Sequence, residues 1–262
     1  MSELVRSLRT FTAARIGLQA AGQSLATREI LQLAQDHALA RDAVHATFDT
    51  EQLRTELVAM GHTVHEVQSL AADRATYLRR PDFGRQLSPE TTPSLAAHWA
   101  SSQAPGSPPP AVVVVIADGL SAAAPVAHAV ALLRELSALA RRRWTSVPVV
   151  LARQARVALG DAVGAALKAR LVLVLIGERP GMSAHDSLGA YLTYAPHPGR
   201  TDAERNCVSN IRPQGLGYAQ AAHHLHWLVE QALTRGVTGI ELKDESGVGP
   251  LHIGAPPANI GA

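Results

Sequence analysis

The sequence has a single cysteine among its 262 residues, and this scarcity excludes two kinds of site. One thiol can form neither a disulfide framework nor a zinc site built from several cysteines. Long apolar runs are also absent: the longest strong one, residues 111–117, is strand-sized and far below the roughly 18 residues that span a bilayer. The N-terminal residues MSELVRSLRT lack the apolar segment of a secretory signal. We therefore expect a cytoplasmic protein that does not associate with membranes.

An excess of charge of one sign is likewise missing. The 24 basic and 22 acidic residues leave a net charge of +2, which is unlike the basic surface of a nucleic-acid-binding protein. Phosphate-binding loops are absent too. The sequence Gly215-Leu216-Gly217 begins a G-x-G pattern, but Gln220 follows where a third glycine is required, and no strand precedes it. These absences argue against a nucleotide-binding module.

The chain has the composition of an ordinary globular protein, with 47% hydrophobic and 18% charged residues. Residues 1–87 read as a helical N-terminal region. Helices are predicted to begin at Thr27 and at Thr50, the second ending at Gly61, and the same apolar period continues through residues 64–71.

Residues 88–110 are rich in proline and serine, and include the run SSQAPGSPPP. Such a segment is not expected to sustain a helix or a central strand. We therefore predict a linker here, which divides the chain into a region 1–87 and a domain 111–262.

Residues 111–262 alternate between β-branched runs and alanine- and leucine-rich segments, which predicts βαβ units and a mostly parallel sheet. The predicted fold class is α/β, with flanking helices and a Rossmann-like arrangement. The predicted strands are 112–116, 147–151, 171–176 and 239–242. The predicted helices are one ending near 139, then 160–170 and 218–234.

Loops at the carboxyl ends of parallel strands are the usual ligand sites of such sheets. This rule places Asp118, residues 153–161 and residues 177–181 at one edge. In the last segment, GERPG, the glycines fix a tight turn. The carboxylate of Glu178 either accepts hydrogen bonds from a ligand or forms a solvated ion pair with an arginine.

Two further features have both a functional and an ordinary structural interpretation. Cys207 could be a nucleophile, a ligand contact or a small apolar residue. His223 and His226 share a helix face and could hold a metal ion, but they lack a known zinc spacing, and hydrogen-bonded helix residues are the commoner case.

Taken together, several blocks resemble the small (light, or β) subunit of ethanolamine ammonia-lyase, an adenosylcobalamin-dependent enzyme. The similarity covers nearly the whole chain apart from residues 88–110. The blocks are ADGLSA at 117–122, RVALGD at 156–161, IGERPG at 176–181, TDAERNCVSNIR at 201–212, GIELKD at 239–244, and TAARIG at 12–17 with RDAVH at 41–45.

The resemblance implies a two-subunit enzyme in which the cobalamin lies between this chain and a larger barrel subunit. That large subunit would bind ethanolamine and carry most of the chemistry, in which an adenosyl radical abstracts hydrogen and acetaldehyde and ammonia are formed. By motif, the cofactor contacts of this chain fall on Val157, Glu178 and Cys207, with Arg156 and Asn206 as neighbours.

The resemblance assigns no catalytic or metal-binding residue to this chain. The Asp-x-His-x-x-Gly pattern of enzymes whose histidine ligates cobalt is missing, because Asp42 and His45 have the wrong spacing. We therefore expect that no histidine of the protein ligates cobalt. Location inside a bacterial microcompartment stays open. The alternative function is a free-standing α/β hydrolase with Cys207 as nucleophile and Asp118 near a basic residue.

Overall fold

A six-stranded mixed sheet forms the centre of the protein. The computed structural model describes residues 3–11, 15–102 and 106–247. The strand order is β3-β5-β4-β6-β7-β8, with parallel pairing from β3 to β6 and antiparallel pairing from β6 to β8. The strands are β1 (Ala20–Ala21), β2 (Ser24–Leu25), β3 (Val64–Gln68), β4 (Val112–Ala117), β5 (Val149–Arg153), β6 (Leu171–Gly177), β7 (Leu188–Tyr194) and β8 (Asn206–Ile211). The α/β prediction is confirmed.

Helices cover both faces of this sheet, and a separate two-stranded ribbon, β1-β2, lies in the N-terminal region. The helices are α1 (Glu3–Arg9), α2 (Thr27–His45), α3 (Thr50–Ala59), α4 (Arg74–Arg79), α5 (Pro81–Gly84), α6 (Thr91–Ser102), α7 (Ala123–Leu139), α8 (Arg141–Trp144), α9 (Leu159–Ala166) and α10 (Tyr218–Arg235), with 3₁₀ turns at Asp202–Glu204 and Gly239–Glu241. Among the described residues, no helix is long and apolar enough to cross a bilayer.

The strand β4 shows why the sheet lies inside the molecule. All six of its residues are buried, and successive side chains enter two different cores. Val112 and Val114 face the core beneath α7 and α10, whereas Val113 and Val115 face the core beneath α6 and α9. The β-branched run therefore specifies a three-layer arrangement. The antiparallel β7 and β8 extend it beyond a purely parallel sheet, so the Rossmann-like detail stays a prediction.

Two sequence predictions of secondary structure are wrong in the first half. Residues 64–68 form the strand β3 rather than a helix, and β3 pairs in parallel with β5. The segment predicted as a linker contains the helix α6, whose Leu95 is buried against the sheet. Pro93 lies in the first turn of α6, where backbone N–H groups have no partner within the helix.

Further differences lie near the C-terminal side of the sheet. Residues 239–242 do not form a strand: Gly239–Glu241 is a 3₁₀ turn, and Gly239 has a φ of +81°. The strands β7 and β8 occupy a stretch that the sequence left irregular. The division of the chain into regions 1–87, 88–110 and 111–262 stays a prediction, although β3 belongs to the same sheet as the strands after residue 110.

Candidate functional site

The candidate site lies where the chain changes direction across the sheet. From β4 the chain continues to β5 on one side and then to β6 on the other side of β4, which makes a topological switch point. Ligands of α/β sheets bind at such points, beyond the carboxyl ends of the strands. A cavity of about 420 Å³ is found there. It is lined by Tyr77, Gly119, Leu120, Arg156, Val157, Ile176, Gly177, Glu178, Arg179 and Tyr191.

Two glycines bring the loops after β4 and β6 into backbone contact beside this cavity. The Leu120 N–H donates to the Gly177 carbonyl oxygen at 2.9 Å. A Cβ at Gly177 would lie 1.9 Å from the Ser121 carbonyl oxygen, and one at Gly119 would lie 2.2 Å from that of Gly177. These glycines are therefore required by the close approach of the two loops.

Asp118 joins the loop after β4 to the loop after β5. Its carboxylate accepts from the backbone N–H groups of Gly119, Gln154 and Ala155 at 2.9 to 3.0 Å, and Arg74 lies 3.7 Å away. The side chain is buried, which raises the pKa of its carboxyl while the N–H donors oppose that shift. Asp118 thus holds the predicted edge together, and the expectation that these loops lie together is confirmed.

Glu178 has its carboxylate fixed by the neighbouring strands. Its Oε2 accepts from the Ser187 hydroxyl and, at 3.2 Å, from the Asn210 N–H. Its Oε1 lies 2.9 Å from the position that a Cβ at Gly189 would take. The residue is half-buried and lines the cavity, so the carboxylate presents one fixed orientation to a ligand.

Arg156 and Val157 enter the same cavity from the loop after β5. The Arg156 guanidinium lies over the Tyr77 ring, 4.3 Å from its centroid, and the Arg156 N–H donates to the Gly84 carbonyl oxygen at 2.8 Å. Val157 is half-buried and packs against the core below α6 and α9. It therefore adds an apolar contact beside a cation.

Cys207 lies next to the cavity, across the β7-β8 pair. It stands opposite Tyr191, which lines the cavity, and its Sγ lies 3.2 Å from the Ser209 hydroxyl. The thiol is exposed. Burial raises the pKa of the Tyr191 phenol, and the adjacent Cys207 and Glu178 raise it further.

Neither Cys207 nor Asn206 is among the residues that line the cavity, and the side chain of Asn206 is bound elsewhere. Its amide donates to the Gly239 and Leu242 carbonyl oxygens, and its oxygen accepts from the Gly239 N–H at 2.9 Å. Adjacent residues of a strand face opposite sides, so the side chain of Asn206 points away from that of Cys207. The amide holds the C-terminal 3₁₀ turn against β8.

Tyr77 and Tyr191 were missed by the sequence analysis, although both line the cavity. Tyr77 belongs to α4, in the region 1–87 that was predicted as helical, and Tyr191 lies on the unpredicted strand β7. Neither carries a local signal, because each reaches the cavity through long-range packing.

Two of the three histidines in the cluster on α10, His223 and His224, have ordinary partners, whereas the Nδ1 of His226 is buried with no hydrogen-bond partner among the described residues. His224 pairs with Asp244 at 2.6 Å, and His223 lies 3.2 Å from the Ser246 carbonyl oxygen. Among the described residues, no group of three or more histidine, cysteine or acidic side chains could hold a metal ion.

Comparison with known proteins agrees with the sequence blocks that border the cavity. A model of the family described as ethanolamine ammonia-lyase light chain (EutC) matches residues 2–243. A small subunit of ethanolamine ammonia-lyase from Bradyrhizobium diazoefficiens is 55% identical over 241 residues, 91% of this chain and 90% of that protein. The small subunit from Rhodopseudomonas palustris is 52% identical over 92% of this chain and 90% of its own length. The small subunit from Xanthomonas campestris is 50% identical over 91% of this chain and 87% of its own length. The chain therefore belongs to the ethanolamine ammonia-lyase light chain family.

Proposed function

We propose that this chain is the small subunit of an adenosylcobalamin-dependent ethanolamine ammonia-lyase and binds the cofactor at its interface with the large subunit. The contacts are Val157, Glu178 and Cys207, with Arg156 beside them. Asn206 contributes by holding the 3₁₀ turn at Gly239–Glu241 against the strand that carries Cys207. One observation carries the proposal: residues from three separate sequence blocks meet at one switch-point cavity.

The residues present fit the edge of a corrin. Cobalamin is a large, mostly apolar disc with amide side chains around its rim, and a cavity of about 420 Å³ admits part of that rim rather than the whole disc. Val157 offers an apolar contact, and the Glu178 carboxylate can accept from amide N–H groups. The exposed Cys207 offers a small, soft surface on the same side.

The role of this chain is to bind and orient. When bound, adenosylcobalamin supplies the radical chemistry by which ethanolamine becomes acetaldehyde and ammonia. Ethanolamine itself is bound mainly by the large subunit in this proposal. Glu178, held by Ser187 and Asn210, fixes the rotation of the corrin rim, and Asp118 keeps the supporting loops in register.

An exposed apolar surface in the N-terminal region supports a partner subunit. Eight of the twelve exposed large apolar side chains in the described part of the chain precede residue 40. They are Leu4, Leu8, Phe11, Leu25, Ile30, Leu31, Leu33 and Leu39. Concentrations of apolar surface of this kind mark contacts with other proteins.

The alternative, a cysteine hydrolase, finds little support at Cys207. A nucleophilic thiol needs an adjacent base, and the groups beside this thiol are the Ser209 hydroxyl and the Tyr191 phenol. Asp118, the acid in that hypothesis, is buried and already accepts three backbone N–H groups.

The test is reconstitution of the two-subunit enzyme. The purified chain, the large subunit and adenosylcobalamin are combined, and acetaldehyde release from ethanolamine is measured, with each component omitted in turn. We expect activity from the complete mixture alone. Turnover by the isolated chain, abolished by thiol alkylation, would instead support the hydrolase. The absence of a histidine ligand to cobalt stays a prediction, and location inside a microcompartment stays open.

A further inference from the structure

Arg156 is a partly buried cation without a counter-ion in the described part of the chain. Its Nε is fully buried and has no hydrogen-bond partner, and its guanidinium makes no ion pair there. Its guanidinium lies over the Tyr77 ring, 4.3 Å from the ring centroid. A buried donor that lacks an acceptor is costly, so such a group points to an acceptor supplied from outside the chain.

The neighbouring charges make that acceptor an anion. Arg74 also lies over the Tyr77 ring, at 4.7 Å, but Asp118 stands 3.7 Å from it and balances its charge. The charged residues that line the cavity are Arg156, Arg179 and Glu178. Glu178 disfavours an anion, but two arginines against one carboxylate leave an excess of positive charge among the residues that line the cavity.

We propose that Arg156 binds the phosphodiester of the nucleotide loop of the cofactor, an inference that rests on the proposed function. The amides around the corrin rim are neutral, whereas the phosphodiester carries a permanent negative charge. A planar guanidinium matches phosphate oxygens with two parallel hydrogen bonds. The Tyr77 ring and the Gly84 carbonyl hold Arg156 in place for this contact. Glu178 and Arg156 thus recognise different parts of one molecule, an amide and a phosphate.

The experiment compares two ligands on the assembled two-subunit enzyme. Adenosylcobalamin contains the phosphodiester, and adenosylcobinamide keeps the corrin amides but lacks the nucleotide loop. Binding is measured by equilibrium ultrafiltration with corrin absorbance for the wild type, Arg156→Gln and Arg156→Lys. Arg142→Gln, an exposed arginine on α8 outside the cavity, is the control.

We expect Arg156→Gln to weaken adenosylcobalamin binding about tenfold to a hundredfold, the usual range for a lost hydrogen bond to a charged group. Adenosylcobinamide binding is expected to change by less than about threefold, and Arg156→Lys to lie between the wild type and Arg156→Gln. An equal loss for both ligands would show that Arg156 contacts a corrin amide and would overturn the proposal. No change for either ligand would overturn it as well.

A second measurement tests the charge pair without adenosylcobinamide. Adenosylcobalamin affinity of the wild type is expected to fall as sodium chloride increases, because salt screens an ion pair. Arg156→Gln is expected to flatten this dependence, and an unchanged dependence overturns the proposal. Melting temperatures of the variants show whether the contact between Arg156 and the Tyr77 ring also contributes to the stability of the fold. Failure of the wild-type enzyme to bind either ligand would contradict the proposed function itself.

Discussion

Glu178 shows how a single side chain acquires a defined orientation from three parts of the fold. It directly follows β6, which brings it to the cavity, Ser187 lies just before β7, and Asn210 lies on β8. The missing side chain of Gly189 leaves room for its Oε1. A carboxylate held in this way is pre-organised, so it binds a ligand without first losing rotational freedom.

The first prediction concerns Glu178→Ala in the assembled enzyme. We expect the Kd for adenosylcobalamin to rise about tenfold, because a charge-assisted hydrogen bond is lost, while kcat at saturating cofactor changes little. Ser187→Ala is expected to give a smaller loss of affinity, since it frees the carboxylate without removing it. Cofactor titration monitored by absorbance and by turnover separates the two quantities. A large fall in kcat at saturation would contradict a purely binding role.

The second prediction concerns His62, which is buried beneath the start of β3. Its Nδ1 lies 3.1 Å from the Val147 carbonyl oxygen, and its Nε2 is buried without a hydrogen-bond partner in the described part of the chain. Burial lowers the pKa of this imidazole below its usual value, so the folded state binds this proton less readily than the unfolded chain does. The unfolded chain then binds more protons as the pH falls below about 6.5, and stability is lost in that range.

The substitution His62→Gln removes this contribution. We expect the free energy of unfolding of the wild type to fall more steeply between pH 7 and pH 5 than that of the variant, by at most about 1.4 kcal/mol per pH unit. Urea titrations of both proteins at several pH values measure the difference. Parallel curves for the two proteins would show that His62 does not contribute to acid sensitivity.

At the scale of elements, the local sequence pattern predicted the central strands and the helices better than the strands at the edges of the sheet. The β-branched run of β4 and the leucine-rich β6 are buried on both faces, so their sequences allow few alternatives. By contrast, β3, β7 and β8 are partly exposed, and their mixed sequences acquire strand structure only from pairing with a neighbour. Long-range pairing of this kind leaves no local signal.

The third prediction concerns the ion pair that joins α9 to the segment before β8. Arg205 donates to the two oxygens of Asp161 at 2.6 and 2.7 Å, and both side chains are almost fully buried. Arg205 also donates to the Thr193 hydroxyl and to the Arg200 carbonyl oxygen. Removing one partner leaves the other charge buried, which typically costs about 3 to 5 kcal/mol.

We therefore expect Asp161→Ala to lower the free energy of unfolding by about that amount, about 3 to 5 kcal/mol, in urea denaturation. The double variant Asp161→Leu with Arg205→Met is expected to lose much less, because neither charge then remains buried. A matched control is Asp82→Ala, which breaks the exposed pair with Arg80 and should have little effect. A double variant less stable than Asp161→Ala would show that packing, not charge, dominates here.

At the scale of the whole molecule, the candidate site draws on distant parts of the sequence. The loops after β5 and β6 supply Val157 and Glu178, which sheet topology and the family resemblance both indicated. Tyr77 comes from α4, and Tyr191 and Cys207 come from the antiparallel edge of the sheet. The rule for parallel strands could therefore predict one wall of the cavity. The other residues required the packing of α4 and the pairing of β7 with its neighbouring strands.

The apolar side chains of α2 bear on the assembly of the enzyme. Leu31 is 64% exposed on this helix, of which only Ala40 and Ala43 are buried. An amphipathic helix normally buries its apolar stripe, so the exposed residues of α2 require a covering surface. In the proposed two-subunit enzyme, the large subunit provides that surface.

The fourth prediction follows from this placement. Leu31→Glu is expected to weaken assembly with the large subunit by at least tenfold, because a charge would then be buried at an apolar contact. The melting temperature of the isolated chain should stay the same, since Leu31 is exposed there. Val58→Glu, at an equally apolar but separate position 55% exposed on α3, is the matched control and should assemble normally. Size-exclusion chromatography of the mixed subunits measures both. Normal assembly of Leu31→Glu would mean that the partner covers a different face, and the apolar surface of α2 would then need another occupant.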